Sequence, residues 1–203
     1  MRMQDFYKTI SPKELEKYAE KVGLGGEFPV DLKEIENVLQ KNKVHRVLEV
    51  GCGIGRLGVH LITKYDYTGI DFNKPYLDSF REKLKKKNIP FLEGQLLNVS
   101  FFDYAGKDFD AVLFPWSVID DFSKNDQERT LIKSKNMLSS EGIIIIDHPQ
   151  KGEILNSASG YEPTYFFFED WKNDFPKLGF SHVEQALYTT AIRRQEITIL
   201  HSS

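Results

Sequence analysis

The feature that most constrains this chain is a glycine-rich loop directly after a β-branched, apolar run. Residues 44–50 have the pattern of a buried strand, and Glu49 to Gly55 then reads Glu-Val-Gly-Cys-Gly-Ile-Gly. Glycine adopts positive φ without steric cost and lets a ligand approach the backbone closely. Leu57 to Lys64 follows with the pattern of a helix. A strand, a glycine turn and a helix in this order predict a site for a nucleotide-like ligand.

An acidic residue follows this loop at the matching distance. Tyr67 to Ile70 is a second short apolar run, and Asp71 ends it about twenty residues after the glycines, where a carboxylate can accept hydrogen bonds from both ribose hydroxyls. Two cofactor classes fit this arrangement. Gly53 to Gly58 matches the dinucleotide pattern G-x-G-x-x-G, and Glu49 to Gly55 equally matches E-x-G-x-G-x-G.

Length and composition exclude several classes of protein. The chain has 203 residues, which fits one domain and leaves no room for the separate catalytic domain of a two-domain dehydrogenase. With 27 basic and 30 acidic residues, a predominantly basic surface for nucleic acid is not expected. Cys52 is the only cysteine, so no intramolecular disulfide forms. Residues 1–22 are too polar for a signal peptide or a membrane span, so a cytoplasmic protein is expected.

Strand and helix patterns alternate along the rest of the chain. Candidate strands are Phe91 to Glu93, Asp110 to Phe114 and Ile143 to Ile146, and the candidate helices are 74–87, 127–138 and 169–178. Such alternation predicts a parallel sheet covered by helices on both faces. His182 to Thr190 and Gln195 to Leu200 are two consecutive extended runs that predict a C-terminal antiparallel hairpin.

The N-terminal segment has a different pattern. Ser11-Pro12-Lys13-Glu14 is a capping-box sequence with proline at the first helical position, and a second helix is predicted from Asp31 to Gln40. We therefore expect residues 1–42 to form a helical lid and residues 43–203 to form the core of a single domain.

The loop pattern E-x-G-x-G-x-G resembles the first motif of class I S-adenosylmethionine-dependent methyltransferases. Later segments resemble the other motifs of this family in the expected order, and they comprise residues 67–73, 91–95, 109–116, 137–143 and 178–180. The resemblance spans residues 44–203 and implies a doubly wound, mostly parallel seven-stranded α/β sheet of the Rossmann-like kind. The dinucleotide interpretation accounts for the first two motifs alone.

The resemblance implies S-adenosylmethionine as the cofactor and identifies the residues of its site. These residues are Glu49, Gly51, Cys52, Gly53, Gly55, Asp71, Phe72, Gln95, Leu96 and Phe114. Asp71 would bind the ribose, Leu96 would cover the adenine, and Phe114 would lie near the reactive sulfonium. Gln95 stands where the family commonly has Asp, and its carboxamide can accept from the adenine amino group and donate to a ring nitrogen.

Groups that bind the methyl acceptor are expected after the fourth and fifth strands, because ligands bind outside the carboxyl ends of strands in open α/β sheets. The candidate substrate-binding residues are Trp116, Asp120, His148, Tyr161 and Tyr165. His148 is also the preferred general base, and Tyr7 of the N-terminal segment is the second catalytic candidate. A base is required only when the acceptor must lose a proton. No metal site is predicted.

The sequence therefore predicts an enzyme that transfers a methyl group from S-adenosylmethionine to a small-molecule acceptor by in-line displacement. Pro115-Trp116 differs from the Asn/Asp-Pro-Pro-Tyr/Phe motif of enzymes that methylate amino groups of nucleic-acid bases or glutamine. Two alternatives remain open. One is a protein or RNA methyltransferase, based on the lysines Lys83, Lys85, Lys86 and Lys87, and the other is a non-catalytic, cofactor-binding regulatory subunit.

Overall fold

A seven-stranded mixed sheet organises the protein, whose computed structural model describes residues 3–27, 29–153 and 163–202. The strands are β1 (Arg46–Val50), β2 (Asp66–Asp71), β3 (Leu96–Asn98), β4 (Phe109–Phe114), β5 (Leu138–Pro149), β6 (Phe180–Thr189) and β7 (Arg194–Ser202), in the order β3-β2-β1-β4-β5-β7-β6. The first five strands of this order run parallel, and β7 pairs antiparallel with both β5 and β6. The predicted doubly wound α/β fold and its C-terminal hairpin are confirmed.

Helices cover both faces of this sheet. They are α1 (Met3–Lys8), α2 (Pro12–Lys21), α3 (Val30–Lys41), α4 (Gly58–Leu61), α5 (Lys74–Lys86), α6 (Lys124–Lys135) and α7 (Phe168–Trp171). Helices α3, α4 and α5 pack on one face, whereas α6 and α7 pack on the other. The predicted helix at 169–178 continues beyond Trp171 only as turns. None of the helices described is long and apolar enough to cross a membrane.

Alternation along the buried strands divides the core into two clusters. Val47 faces the cluster that contains α3 and α5, and the next residue, Leu48, faces the cluster that contains α6. This follows from the two-residue period of a strand, which sends successive side chains to opposite faces. Because both faces are buried, the strand sequences are almost continuously apolar, and the sequence alone does not reveal which residue faces which helices.

The N-terminal helices divide between the core and its surface. Ser11 caps α2 with the predicted capping box, and α2 has no buried residue. By contrast, Ile35 and Leu39 of α3 are fully buried in the same cluster as Val47 of β1. The expected boundary after residue 42 therefore needs correction, because α3 is part of the core layer. Only α1 and α2 lie outside it as a candidate lid.

The third strand lies later in the chain than predicted. Phe91 to Glu93 was the expected strand, but Leu92 is 73% exposed and Glu93–Gln95 forms a 3₁₀ turn. Strand β3 instead comprises Leu96–Asn98 and pairs with β2 so that Asn98 is level with Asp71. Three apolar or neutral residues predict a strand weakly, and pairing with β2 decides which three residues are used.

Candidate functional site

The glycine loop joins β1 to α4 at the carboxyl edge of the parallel strands. Gly51, Gly53 and Gly55 have φ of 67°, 54° and 74°, in a region that residues with a Cβ rarely adopt. The Gly51 N–H donates to the Ile70 carbonyl at 2.9 Å, which ties the loop to the end of β2. A Cβ at Gly53 would have no neighbour nearer than 3.8 Å. A Cβ at Gly53 would therefore meet its neighbours only at ordinary van der Waals distances.

The far side of the loop is closely packed. A Cβ at Gly55 would come within 2.0 Å of the Phe80 ring of α5, and a Cβ at Gly58 would come within 2.4 Å of it. Such distances are shorter than any real carbon–carbon contact, so the loop can lie against α5 only without side chains at these positions. The glycines therefore serve two purposes, since Gly53 provides a positive φ and Gly55 permits close packing against α5.

Asp71 connects the end of β2 to the loop. Its Oδ2 accepts from the Gly53 N–H at 2.8 Å, and its Oδ1 accepts from the Asn73 N–H at 2.7 Å. Each carboxylate oxygen keeps a further lone pair, so both can accept a second hydrogen bond. Burial raises the pKa of Asp71 to about 6, although the two backbone hydrogen bonds oppose this shift. The side chain is therefore an anionic acceptor above pH 6.

Glu49 lies beneath the loop and is almost completely buried. The Tyr67 hydroxyl donates to its Oε2 at 2.5 Å. Burial raises the pKa of Glu49 to about 7, and the Tyr67 hydrogen bond and the charge of Arg56 oppose that shift. In this position Glu49 supports the loop from below through Tyr67.

An ion pair attaches the loop to α3. Arg56 Nη1 lies 2.6 Å from Asp31 Oδ1, and the two side chains are 15% and 0% exposed. The other Asp31 oxygen, Oδ2, is buried without a hydrogen-bond partner in the described part of the chain. Burial raises the pKa of both Glu49 and Asp147, and the charge of Arg56 opposes this rise in each. One buried cation thus faces three acidic side chains.

Cys52 contributes its backbone to the loop and its side chain to the core. The Cys52 N–H donates to the Ile70 carbonyl at 3.1 Å. Its Sγ lies 2.9 Å from where a Cβ on Gly69 would be, beneath the loop. Burial raises the pKa of the thiol well above its ordinary value, so the thiol is neutral. A thiol that is neutral and buried is a poor nucleophile.

The later β3 strand alters the predicted adenine-binding set. Gln95 precedes the strand, and its Oε1 accepts from the Leu92 N–H at 2.8 Å within the 3₁₀ turn. Leu96 is buried in the core and level with Gly69, two residues before the carboxyl end of β2. Both residues thus lie away from the edge that carries Asp71. Asn98, which sequence reasoning missed, is the exposed residue at that edge.

The side chain of Asn98 is oriented by the end of β2. Its Nδ2 donates to the Asp71 carbonyl at 3.0 Å. The position could have been found from the sequence only with the correct register of β3, because Asn98 follows two leucines in a segment that resembles a loop. The structure therefore replaces Gln95 with Asn98 as the carboxamide beside Asp71.

Helix α1 and the start of α2 lie beside Phe72 and Asn73, which follow Asp71 at this edge. The Tyr7 ring packs edge-on against Phe72, with centroids 6.4 Å apart. Asn73 Nδ2 donates to the Tyr7 carbonyl at 3.1 Å. A cleft of about 390 Å³ opens here between Phe72 and the segment that connects α1 to α2. Leu15 of α2 also approaches Gly53, at 4.0 Å from where its Cβ would be.

Phe114 does not face this edge, and its predicted position near the reacting atoms needs correction. Its side chain is fully buried on the α6 face of the sheet. The ring packs edge-on against Phe101 at a centroid distance of 5.4 Å. The register of β4 decides this, because alternation sends Leu113 to the α3 face and Phe114 to the other.

The turn after β4 has an unusual backbone. Trp116 and Ser117 have φ of 48° and 62°, which costs about 1–3 kcal/mol per residue outside glycine. Asp147 of β5 stabilises this turn, since Asp147 Oδ2 accepts from the Trp116 N–H at 2.8 Å and its carbonyl accepts from the Ser117 N–H at 2.8 Å. Strained backbone of this kind is concentrated at functional sites.

Asp147 is itself held by the C-terminal hairpin. The Tyr188 hydroxyl donates to Asp147 at 2.8 Å, and Gln195 Nε2 donates to it at 3.3 Å. Burial raises the pKa of Asp147 to about 7, with a further contribution from the charge of Asp31. The strained turn after β4 is therefore anchored to both β5 and the hairpin.

Arg193 is a second residue that sequence reasoning missed as part of the site. It lies in the turn between β6 and β7, yet its guanidinium stacks over the Trp116 ring at 5.2 Å. Arg193 Nη2 donates to Ser117 Oγ at 3.0 Å, and Arg193 Nε is buried without a hydrogen-bond partner in the described residues. The hairpin brings this cation to the end of β4 from more than 70 residues away in the chain.

His148 is not available to act as a base. Its side chain is fully buried on the α6 face, where it packs edge-on against Phe166. Nδ1 lies 3.1 Å from the Pro149 carbonyl, which can only accept, so Nδ1 carries the proton and Nε2 accepts from the Thr198 hydroxyl at 2.9 Å. Burial lowers the pKa of His148 to about 4. The burial of His148 and the contacts of both its ring nitrogens argue against its predicted catalytic and substrate-binding roles.

Asp120 is buried as well and organises a neighbouring segment. Its Oδ1 accepts from the Phe166 N–H at 2.8 Å, and its carbonyl accepts from the Thr164 N–H at 2.9 Å. This structural role replaces the direct substrate contact predicted for Asp120. Tyr165 lies between these hydrogen bonds and stacks on Phe167 at 5.9 Å. Tyr161, the remaining candidate, lies outside the described residues.

The buried Asp120 predicts a specific pH dependence of stability. Burial raises its pKa to about 8, above the value of about 3.9 expected in the unfolded chain. The stability that depends on protonated Asp120 is therefore fully present below pH 3.9 and is lost as the pH rises through about 8. Asparagine cannot ionise and retains the acceptor for Phe166.

We therefore expect Asp120→Asn to raise the melting temperature relative to the wild type, with a gain that grows by about 5 °C between pH 5 and pH 8.5. Thermal unfolding followed by circular dichroism at both pH values measures this. Asp108→Asn, at an exposed position, is the control and should give a difference independent of pH. A gain from Asp120→Asn that is equal at pH 5 and pH 8.5 would contradict the prediction.

Residues 47–142 match the sequence profile of a family described as "Methyltransferase domain". The matched segment contains the glycine loop, Asp71, Asn98 and the turn after β4. No match was found among curated protein sequences.

Solved structures of methyltransferases superpose on nearly the whole chain. Magnesium protoporphyrin IX methyltransferase (ChlM) from Synechocystis PCC 6803, solved with bound S-adenosylmethionine, gives a TM-score of 0.68 at 13% identity, covering 95% of this chain and 97% of its own. An S-adenosylmethionine-dependent methyltransferase from Clostridium acetobutylicum gives a TM-score of 0.69 at 11% sequence identity, and the superposition covers 87% of this chain and 93% of that one. The glycopeptide N-methyltransferase MtfA gives a TM-score of 0.68 at 14% sequence identity, and the superposition covers 91% of this chain and 98% of that one. The protein therefore has the class I methyltransferase fold.

Proposed function

We infer that this protein, which has the class I S-adenosylmethionine-dependent methyltransferase fold and carries a methyltransferase domain in residues 47–142, is an enzyme that uses S-adenosylmethionine to methylate a small-molecule acceptor. The observation that carries this proposal is the junction between Gly53 and Asp71. The backbone N–H of Gly53 lies 2.8 Å from a carboxylate oxygen of Asp71, and both oxygens of that carboxylate keep unused lone pairs. Such a junction suits a ligand with a ribose and a charged tail.

The residues at this edge fit the cofactor in chemical terms. Asp71 would accept hydrogen bonds from the two ribose hydroxyls, as the acidic residue after the second strand does in nucleotide-binding α/β sheets. Gly51 and Gly53 would border the methionine portion, and Gly55 and the backbone of Cys52 would maintain the loop's shape. Glu49, beneath the loop, would add negative charge near the cofactor's ammonium group.

The adenine would lie between the β2 and β3 ends. Phe72 follows Asp71 directly and offers an aromatic face, which Tyr7 extends. Asn98 would accept from the adenine amino group through Oδ1, because its Nδ2 already donates to the Asp71 carbonyl. In this proposal Tyr7 encloses the cofactor and is not the catalytic base. Helices α1 and α2 act as the lid.

The acceptor would bind at the end of β4, beside the strained turn. Trp116, Tyr165 and Arg193 supply two aromatic side chains and one cation there, supported by the stacking of Arg193 on Trp116 and by the effect of its charge on the pKa of Tyr165. When bound, the cofactor supplies a methyl group on a positively charged sulfur. The residues named here would align the acceptor with that methyl group and exclude water, which accounts for much of the acceleration in such reactions.

A small-molecule acceptor is supported by three observations. The pocket residues are aromatic with few polar groups, as in most sites for small ligands. The net charge is −3, which disfavours nucleic acid as the substrate. The similar structures include enzymes named for a porphyrin and a glycopeptide acceptor. Of the four lysines that suggested RNA, Lys83 forms an ion pair with Glu16 at 3.1 Å.

A transfer assay with labelled cofactor tests the proposal. We expect the purified protein to transfer the labelled methyl group to components of a low-molecular-weight metabolite extract. Parallel samples of total RNA and of unfolded protein should remain unlabelled. Labelling of RNA or protein alone would contradict the small-molecule acceptor, and binding of S-adenosylhomocysteine without transfer to any pool would favour a regulatory subunit.

A further inference from the structure

A cluster of potential metal ligands lies on the C-terminal hairpin, at the opposite edge of the sheet from the glycine loop. His182 and Glu184 belong to the edge strand β6, and His201 belongs to β7. Residue 201 pairs with Ile143 near the start of the aliphatic part of β5, far from the carboxyl ends of the parallel strands. The proposed methyl transfer makes no use of these three side chains.

We propose that His182, Glu184 and His201 bind a divalent transition-metal ion, with Zn²⁺ as the ion that best fits the ligands. Two imidazoles and one carboxylate are a ligand set that zinc accepts, with solvent completing a tetrahedral shell. Hard cations such as Mg²⁺ prefer oxygen ligands, so they fit this site poorly.

The distances match such a shell. Glu184 Oε1 lies 3.3 Å from His182 Nε2 and 3.3 Å from His201 Nε2. All three potential ligand atoms lie within 4.8 Å of one another. Two atoms bound to a tetrahedral zinc at about 2.1 Å are about 3.4 Å apart. The carboxylate oxygen is therefore already at a ligand–ligand distance from both histidines.

The strand pairing explains why these atoms converge. His182 lies directly across from His201 in the antiparallel β6–β7 ladder, and their ring centroids are 5.0 Å apart. Glu184 follows His182 by two residues, so the strand period places both on one face of β6. A hairpin that pairs rigidly in this way keeps the three side chains together before any ion binds, which reduces the entropy lost on binding.

The outer contacts of the cluster also suit a cation. Lys41 of α3 donates a hydrogen bond to the other carboxylate oxygen of Glu184, Oε2. This contact leaves Oε1 facing the two histidines, with Lys41 in the position of an outer-shell partner.

Calorimetric titration of the full-length, untagged protein with ZnCl₂ tests the proposal. We expect one zinc ion to bind per chain, and MgCl₂ to give no signal. His182→Gln, Glu184→Gln and His201→Gln should each weaken zinc binding by about 10- to 100-fold or more. His45→Gln, which changes an exposed histidine outside the cluster, is the matched control and should leave the affinity unchanged.

A second measurement removes any dependence on the folding of the variants. In the wild-type protein, zinc should protect His182 from modification by diethyl pyrocarbonate and leave His45 reactive, as measured by peptide mass spectrometry. Absence of saturable zinc binding to the wild type overturns the proposal. The proposal is also overturned if a folded His201→Gln variant binds zinc as tightly as the wild type. It is likewise overturned if diethyl pyrocarbonate modifies His182 equally with and without zinc.

Discussion

Replacing Asp71 by alanine is expected to weaken the binding of S-adenosylhomocysteine by at least about 100-fold. Hydrogen bonds to a charged acceptor contribute about 1.5–3 kcal/mol each, and two ribose hydroxyls would lose that acceptor together. Because 1.4 kcal/mol corresponds to a factor of ten, the loss of both bonds gives a hundredfold or larger effect. The variant also frees the Gly53 N–H from its present partner, which loosens the loop.

Isothermal titration calorimetry at pH 8 measures this effect, because Asp71 has a pKa of about 6 and is ionised there. Wild-type affinity should decrease as the pH falls through 6, since the protonated carboxyl accepts fewer hydrogen bonds. Asp66→Ala at the other end of β2 is the matched control, because Asp66 is exposed and pairs with Arg46 at 3.4 Å. Unchanged affinity in an Asp71→Ala protein that remains folded would contradict the cofactor site.

The second large effect concerns stability. Arg56→Met is expected to lower the free energy of unfolding by about 3 kcal/mol or more, as removal of one partner from a buried ion pair usually does. Asp31 is fully buried, has one oxygen without a partner in the described residues, and would lose its cation. Glu49 and Asp147 would lose a nearby positive charge at the same time.

Chemical denaturation at pH 7 measures the change. The double variant Arg56→Met/Asp31→Leu should recover much of the lost stability, because no buried charge is then left uncompensated. Arg129→Met breaks the ion pair of Arg129 with Asp126, whose side chains are 67% and 36% exposed, and it should cost less than about 1 kcal/mol. If Arg56→Met lowers the free energy of unfolding no more than Arg129→Met does, the buried ion pair contributes no more to stability than the exposed one, and the prediction is contradicted.

The cofactor side of the site was largely predictable because its requirements are local. A backbone that must adopt positive φ at Gly51, Gly53 and Gly55 needs glycine, and this need is visible in any sequence. The spacing between the glycine loop and Asp71 follows from one short helix, α4, and one strand, β2, between them. The structure confirms the strand–loop–helix geometry, and it adds a hydrogen bond from the Gly53 N–H to Asp71 that the sequence did not predict.

The third strand was predicted incorrectly because its position depends on register. Phe91 and Leu92 are apolar, as are Leu96 and Leu97 of the real third strand, but Leu92 remains exposed. The chain instead pairs Leu96 to Asn98 with β2, which aligns Asn98 with Asp71. Because β3 lies later in the chain than predicted, the carboxamide beside Asp71 belongs to Asn98 and not to Gln95. Short strands carry too little pattern for the sequence to decide between them.

The acceptor side was the least predictable. His148 and Phe114 stand at the ends of their strands in the sequence, but both side chains point into the α6 face and are fully buried. Buried parallel strands are apolar on both faces, so their sequence does not record which face a residue occupies. Arg193 reaches Trp116 only because the hairpin folds back along β5, a contact between residues distant in the chain.

The fold class, the position of the glycine loop and the spacing to Asp71 could be read from the amino-acid sequence. Those features follow from steric limits on φ and from hydrophobic periodicity, which act over a few neighbouring residues. The position of Asn98 beside Asp71, the burial of His148 and the contact of Arg193 with the turn after β4 became apparent only in the folded protein. These outcomes depend on strand register and on which face of a doubly covered sheet a side chain enters, and pairing between distant segments sets both.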